Sequence, residues 1–85
     1  MESKSRRIGV ISIIIRNGKQ SAGDVNRILT QHGDIIIGRM GIPYEPKEIN
    51  VIALIVNGTT DDIGSLAGRL GSLKDVEVKS VLAKM

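Results

Sequence analysis

Residues 49–58, INVIALIVNG, decide the fold of this 85-residue chain. Apolar residues occupy both phases of a strand's alternation, with Val51, Ala53 and Ile55 on one face and Ile52, Leu54 and Val56 on the other. A strand with one face in water alternates polar with apolar residues, so this pattern predicts a central strand covered on both sides. Residues 59–62, TTDD, then predict the start of an amphipathic helix over residues 60–72.

Three further strands are predicted from the rest of the chain. Residues 8–15 are again apolar at both phases and predict a second central strand. Residues 34–40 predict a strand built on three consecutive isoleucines, and residues 76–82 alternate as an edge strand does. The connection at residues 41–47 carries two prolines, so we expect no regular strand pairing there.

A second helix is predicted between the first two strands. Ser21 is placed to cap it, and Asp24 follows three residues later, where a carboxylate is favourable to the helix dipole. Gly33 is placed to end this helix. In the later helix, Gly64 and Gly68 each cost roughly 1 kcal/mol relative to alanine. We therefore expect a neighbour to pack close to the backbone at these two glycines.

The order strand, helix, strand, strand, helix, strand is that of a ferredoxin-like βαββαβ sandwich of the α+β class. Right-handed crossovers place the first and third strands in the middle of one four-stranded antiparallel sheet, with both helices on one face. The two strands with double-sided apolar character are the two that this arrangement buries. We expect one domain over residues 7–85, preceded by a disordered basic segment at residues 1–6.

A sheet with both helices on one face leaves its other face uncovered. The central strands would place about half of their apolar side chains there, at a cost on the order of 1.5–3 kcal/mol for each one left in water. That loss is comparable to the whole stability of a small domain. The chain has no cysteine, so no disulfide offsets the loss. We therefore expect a homo-oligomer, a dimer or a tetramer, that covers this face.

Composition argues against several functions that this fold can carry. RNA-recognition domains stack bases on aromatic residues of the two central strands, whereas Tyr44 is the only aromatic residue here. We therefore expect no direct nucleic-acid binding, despite a net charge of +3. The absence of cysteine and the single histidine, His32, leave no metal or cofactor site that we can predict.

The sequence predicts neither a membrane-spanning segment nor a catalytic site. The apolar run at residues 8–15 is far shorter than the roughly 20 residues that span a bilayer, and no signal-type cleavage site follows it. We expect a cytoplasmic protein without membrane contact. An acylphosphatase-like enzyme would use Arg16 and Asn17, but the motif that surrounds such residues is missing. We therefore predict that the chain is not an enzyme.

Two segments are candidate ligand sites. The first precedes and opens the first helix, where free N–H groups and the positive end of the helix dipole suit a carboxylate or another anion. Its residues are Asn17, Gly18, Ser21, Gly23 and Asp24. Both glycines allow close approach of the backbone to a ligand. The alternative is an ordinary turn followed by a helix cap.

The second candidate site is the segment at residues 38–44, GRMGIPY. Arg39 is an anion-binding candidate, Met40 adjoins it, and Tyr44 is the one aromatic residue able to cover a ligand. In the alternative interpretation the glycines and Pro43 shape a hairpin, and Tyr44 packs on a neighbouring subunit.

Two sets of residues resemble known families. Residues 21–29, SAGDVNRIL, with residues 32–35, HGDI, resemble the first half of ACT domains, regulatory modules that bind amino acids or other small effectors at subunit interfaces. A resemblance over nearly the whole chain rests on residues 38–44, 57–61 and 70–71. On these motifs the chain is similar to the iron-only hydrogenase system regulators, ACT-like proteins related to the C-terminal domain of the nickel-responsive repressor.

The resemblance implies a regulatory domain. Combined with the uncovered sheet face, it predicts a homo-oligomer that binds a small anionic or amino-acid effector at a subunit interface near residues 17–24. The alternative is a module without a ligand that oligomerises and docks on another protein.

Overall fold

The computed structural model describes residues 5–16 and 19–84. The elements within them are β1 (Arg7–Arg16), α1 (Lys19–Gln31), a 3₁₀ turn (Gly33–Ile35), β2 (Ile36–Tyr44), a second 3₁₀ turn (Glu45–Lys47), β3 (Ile49–Gly58), α2 (Thr60–Gly71) and β4 (Val76–Leu82). The strands form one antiparallel sheet in the order β2-β3-β1-β4. The predicted α+β ferredoxin-like arrangement, with β1 and β3 in the middle, is confirmed.

The two central strands divide their side chains between two sheet faces, as predicted. One set packs against the helices and is almost fully buried: Ile11, Ile13, Ile15, Ile52, Leu54 and Val56. The helices contribute Val25, Ile28, Leu29, Ile63, Leu66 and Leu70 to the same aliphatic core. We call the opposite side of the sheet the open face. There Val10 and Ile55 lie opposite each other on β1 and β3, and each is 47% exposed.

The start of α2 follows from its own sequence. Asp62 donates its backbone N–H to the Thr59 hydroxyl oxygen at 3.0 Å, and the Asp62 carboxylate accepts from the Thr59 N–H at 3.4 Å. This reciprocal capping box satisfies two N–H groups that the helix itself leaves unpaired. The helix then runs from Thr60 to Gly71, close to the predicted range.

The predicted start of α1 is wrong, and so is the predicted cap at its end. The helix begins at Lys19, so Ser21 lies inside its first turn rather than at its cap. The Ser21 hydroxyl donates instead to the carbonyl of Lys74 at 2.8 Å and ties α1 to the connection between α2 and β4. The helix ends at Gln31, near the predicted end, but Gly33 begins a 3₁₀ turn without a positive φ and is not a left-handed cap.

The predicted irregular connection at residues 41–47 is also wrong in its first half, because β2 continues to Tyr44. Pro43 pairs with Asn50, and Tyr44 pairs with Ile49. β2 is an edge strand, so only one side of its backbone needs partners, and a proline can be accommodated there.

A β-bulge sets the direction of the side chains on β2. The register with β3 shifts between Ile36 and Gly38, so that one extra residue lies in β2. Beyond the bulge, Arg39 lies opposite the buried Leu54 and therefore belongs to the helix side of the sheet. Met40 lies opposite Ala53 and belongs to the open face.

Glycines occupy close approaches in the sheet but not in α2. A Cβ on Gly9 would lie 2.6 Å from Leu82 Cδ2 and 3.2 Å from the carbonyl oxygen of Val81. A Cβ on Gly64 or Gly68 would meet nothing within 4 Å. The prediction that a neighbour packs close to the backbone at these two helix glycines is therefore wrong for the single chain.

These glycines give a matched test of stability. Gly9→Val should lower the free energy of unfolding by about 1–3 kcal/mol, because the new side chain overpacks a buried position between β4 and β3. Gly64→Ala should raise it by about 0.5–1 kcal/mol, because alanine loses less backbone entropy in a helix and has open space here. Urea unfolding followed by circular dichroism measures both changes. A destabilising Gly64→Ala would contradict the open surface at this helix.

Candidate functional site

The structure distributes the residues of the first predicted site over different environments. Asn17 and Gly18 lie outside the described residues. Ser21, Gly23 and Asp24 lie in the first two turns of α1 rather than in a loop. Ser21 is buried with its hydroxyl bonded to Lys74, whereas Gly23 is exposed. The half-buried Asp24 carboxylate accepts a hydrogen bond from Arg27 Nη1 at 2.9 Å. These three residues do not converge on one space.

The second predicted site is divided between the two faces of the sheet. Arg39 lies on the helix side, whereas Met40 and Tyr44 lie on the open face, where they are 60% and 46% exposed. Successive side chains of a strand alternate between its faces, so Arg39 and Tyr44, five residues apart, cannot cover one ligand within a single chain.

A cleft of about 280 Å³ opens beside Arg39, between α1, β2 and neighbouring parts of β1 and β3. Its polar side chains are Arg39, Asn26 and Asn50, and the other lining residues are Ile15, Ala22, Gly41, Ile42, Pro43 and Ile52. The volume lies just below the range of small-molecule sites, about 300–1,000 Å³. Apolar walls with a few polar groups are typical of such sites.

The Arg39 guanidinium is held in the cleft by α1. Its Nη2 donates to Asn26 Oδ1 at 2.9 Å. Within residues 5–16 and 19–84, no carboxylate is paired with Arg39, whereas Arg16 pairs with Glu77 at 3.0 Å and Arg27 pairs with Asp24. A guanidinium carries five N–H donors in a planar fork that matches a carboxylate or a phosphate. Arg39 therefore offers donors to an anion in the cleft.

The helix α1 contributes one side of the cleft through Ala22 and Asn26, which lie one turn apart. Arg39 is therefore the group that favours an anionic ligand there.

Asn26 and Asn50 were not predicted as site residues. The sequence did contain a hint for Asn50, because it is a polar residue on the strand face that also carries the buried Ile52 and Leu54. The hint for Asn26 was weaker, namely a residue type of low helix propensity one turn after Ala22. Neither signal connects these residues to Arg39, because that connection depends on the packing of α1 and on the register of β2.

His32 lies at the end of α1 and outside the cleft. Its Nδ1 is 3.0 Å from the carbonyl oxygen of Ile28, which can only accept, so Nδ1 carries a proton. In the described part of the chain, no group of three or more histidine, aspartate or glutamate side chains is placed to hold a metal ion. None of the described helices has the length and apolar character needed to cross a membrane.

A family model and a solved structure match nearly the whole chain. The family, TM1266-like, is described as "Iron-only hydrogenase system regulator, putative", and its model matches residues 7–80. The structure of the uncharacterised protein TM1266 from Thermotoga maritima is similar to this chain, with a TM-score of 0.91 and 29% sequence identity. That similarity covers 94% of this chain and 100% of the other. No curated protein matches the chain.

More distant structures share the fold alone. The ACT domain of the GTP pyrophosphokinase of Chlorobium tepidum gives a TM-score of 0.77 at 14% identity, covering 91% of this chain and 100% of that one. The C-terminal domain of the MgtC protein of Mycobacterium tuberculosis gives 0.72 at 12% identity, covering 99% and 95%. The chain therefore has the ACT-like fold, and it belongs to the TM1266-like family.

Proposed function

We propose that the chain is a homo-oligomeric, cytoplasmic regulatory domain that binds a small anionic effector in the cleft between α1 and β2. The observation that carries this proposal is the position of Arg39, a cation held by Asn26 in a cleft without a paired carboxylate among the described residues. The family of regulators to which the chain belongs and its ACT-like fold support the regulatory part.

The proposed site adjoins the segment predicted from the sequence. Ala22 and Asn26 line the cleft from the same helix that carries Ser21, Gly23 and Asp24. Gly23 is exposed, and a Cβ there would meet nothing within 4 Å apart from its chain neighbours and the nearby backbone of its own helix. An effector in the cleft would therefore have room to extend along α1 past Gly23.

The first test is a thermal-shift screen of the purified protein against carboxylates, amino acids and nucleotides. A ligand that binds only the folded state at 100 times its Kd adds about 2.7 kcal/mol, which raises the melting temperature by several degrees in a domain of this size. Arg39→Gln should abolish the shift, because the guanidinium supplies the charge that binds the anion.

Arg27→Gln is the matched control for that screen, because Arg27 is occupied by Asp24 and does not line the cleft. A shift that persists in Arg39→Gln would remove the cleft as the site. Gly23→Val should weaken binding, since a branched side chain would fill the space beside Asn26. Intact binding in Gly23→Val and in Asp24→Ala together would remove Gly23 and Asp24 from the site.

The homo-oligomer is proposed to form through the open face. Large apolar side chains that are 36–72% exposed lie there: Ile8, Val10, Met40, Ile42, Tyr44, Ile55 and Val81. Glu77 and Lys79 of β4 lie on the same face at its edge. An apolar centre with a polar rim is the anatomy of a protein–protein interface.

The size of the open face also fits a second copy of the chain. With strands about 4.8 Å apart that rise about 3.3 Å per residue, the flat area of the sheet is roughly 600 Å². Protruding side chains add further surface to this area. A standard interface buries about 800 Å² on each partner. Two open faces packed together would therefore bury most of the surface area that a stable dimer interface needs.

Val10→Glu tests this interface. The position is exposed in the single chain, so the fold should persist, but in the oligomer the variant would bury an unpaired charge at a cost of about 3–5 kcal/mol. We expect association to weaken by at least about 100-fold, measured by multi-angle light scattering. Ser65→Glu, on the exposed surface of α2, should leave the oligomer intact. A monodisperse wild-type monomer at micromolar concentration would refute the interface.

The same open face supports a second candidate function. A module that binds no small molecule would use its exposed apolar surface to dock on another protein. Two observations together would favour this function over effector binding. No compound of the thermal-shift panel would raise the melting temperature, and a protein partner would co-purify with the wild type but not with Val10→Glu.

A further inference from the structure

We infer that the cleft selects small aliphatic carboxylates that carry a carbonyl or hydroxyl oxygen but no ammonium group, the class of 2-oxo and 2-hydroxy acids. This inference rests on the proposed effector site and specifies the chemistry of its ligand. It follows from the charges, the free hydrogen-bonding groups and the size of the cleft.

The lining of the cleft supplies positive charge and no negative charge. Among the described residues that line it, Arg39 is the cation, Asn26 and Asn50 are neutral amides, and none is an aspartate or glutamate. Asn26 uses its amide oxygen to accept one hydrogen bond from Arg39, which fixes the guanidinium and leaves most of its donors available. A carboxylate can accept two parallel N–H bonds from such a fork.

Asn50 supplies the second point of recognition. It lies on β3 between Ile15 of β1 and Pro43 of β2, and both of these neighbours line the cleft as well. Its side-chain amide makes no hydrogen bond within the described part of the chain. An amide can donate to a carbonyl or hydroxyl oxygen and can accept from a hydroxyl. Asn50 is therefore available to an oxygen substituent of a carboxylate bound in the cleft.

An α-ammonium group is poorly matched to the same lining. It brings three N–H donors and a positive charge next to the Arg39 guanidinium, and like charges repel. The amide oxygen of Asn26 already accepts one hydrogen bond from Arg39, so only its second lone pair is open to a ligand. The amide oxygen of Asn50 is the other side-chain acceptor among the described residues that line the cleft. An amino acid would thus lose affinity relative to the oxo acid of the same shape.

The walls limit the rest of the ligand. Ala22, Pro43 and Ile52 give apolar surface, and the volume of about 280 Å³ is small. Tyr44, the one aromatic residue, lies on the opposite face of the sheet, so the cleft offers no ring on which a nucleobase could stack. A short aliphatic chain fits these walls better than a nucleotide does.

The experiment is an NMR titration of the ¹⁵N-labelled chain with matched ligands at constant ionic strength. The probes are pyruvate, lactate, propionate and alanine, and then 3-methyl-2-oxobutanoate and valine. We expect each oxo acid to bind at least about tenfold more tightly than its amino acid, a difference that one charge-assisted contact can supply. Lactate should bind like pyruvate, and propionate, which lacks the second oxygen, should bind more weakly.

Variants assign the two points of recognition. Arg39→Gln should weaken pyruvate at least about tenfold, whereas Arg27→Gln should leave it unchanged. Asn50→Ala should remove the preference for pyruvate over propionate while propionate still binds, a pattern that a merely structural role of Asn50 would not produce.

Three outcomes would overturn the inference: alanine and valine binding as tightly as their oxo acids, pyruvate binding that survives Arg39→Gln, or no binding of any of these acids. If none of these acids binds but another class of anion binds, and Arg39→Gln abolishes that binding, then the ligand class is wrong and the proposed effector site stands. If no compound binds in this titration or in the thermal-shift screen, both fail.

Discussion

The contact between the two central strands and the two helices is the interaction on which the rest of the structure depends. It is entirely aliphatic, built from isoleucine, leucine and valine side chains with less than a tenth of their surface exposed. Within the sheet, the missing side chain of Gly9 leaves room for the Leu82 side chain of β4. The Ser21–Lys74 hydrogen bond adds a polar tie between α1 and the connection that leads into β4.

The candidate site is a consequence of how β2 joins this core. A strand reverses the faces of its side chains when its register moves by one residue. The bulge between Ile36 and Gly38 therefore decides that Arg39 points to the helix side and Met40 to the open face. Once Arg39 lies on the helix side, Asn26 of α1 is within hydrogen-bonding distance of it. The cleft thus depends on one irregularity in an edge strand.

β2 also connects the two surfaces for which functions are proposed. Arg39 and Pro43 contribute to the cleft, and Met40 and Tyr44, which alternate with them, contribute to the open face. An effector bound to Arg39 and a second copy packed on Met40 would contact opposite sides of the same edge strand. The alternation of a single strand thus places the proposed ligand site and the proposed interface on opposite sides of one backbone.

The sequence by itself determined the elements and their order, since these follow from local periodicity. Double-sided apolar runs identified β1 and β3, the alternation of residues 76–82 identified β4, and the predicted ends of α2 are nearly those observed. Only the tertiary structure decided where α1 begins, how far β2 extends through Pro43, and which side of the sheet Arg39 occupies. It also brought Asn26, Arg39 and Asn50 together. These features depend on pairing and packing between residues far apart in the chain, and no local pattern encodes that register.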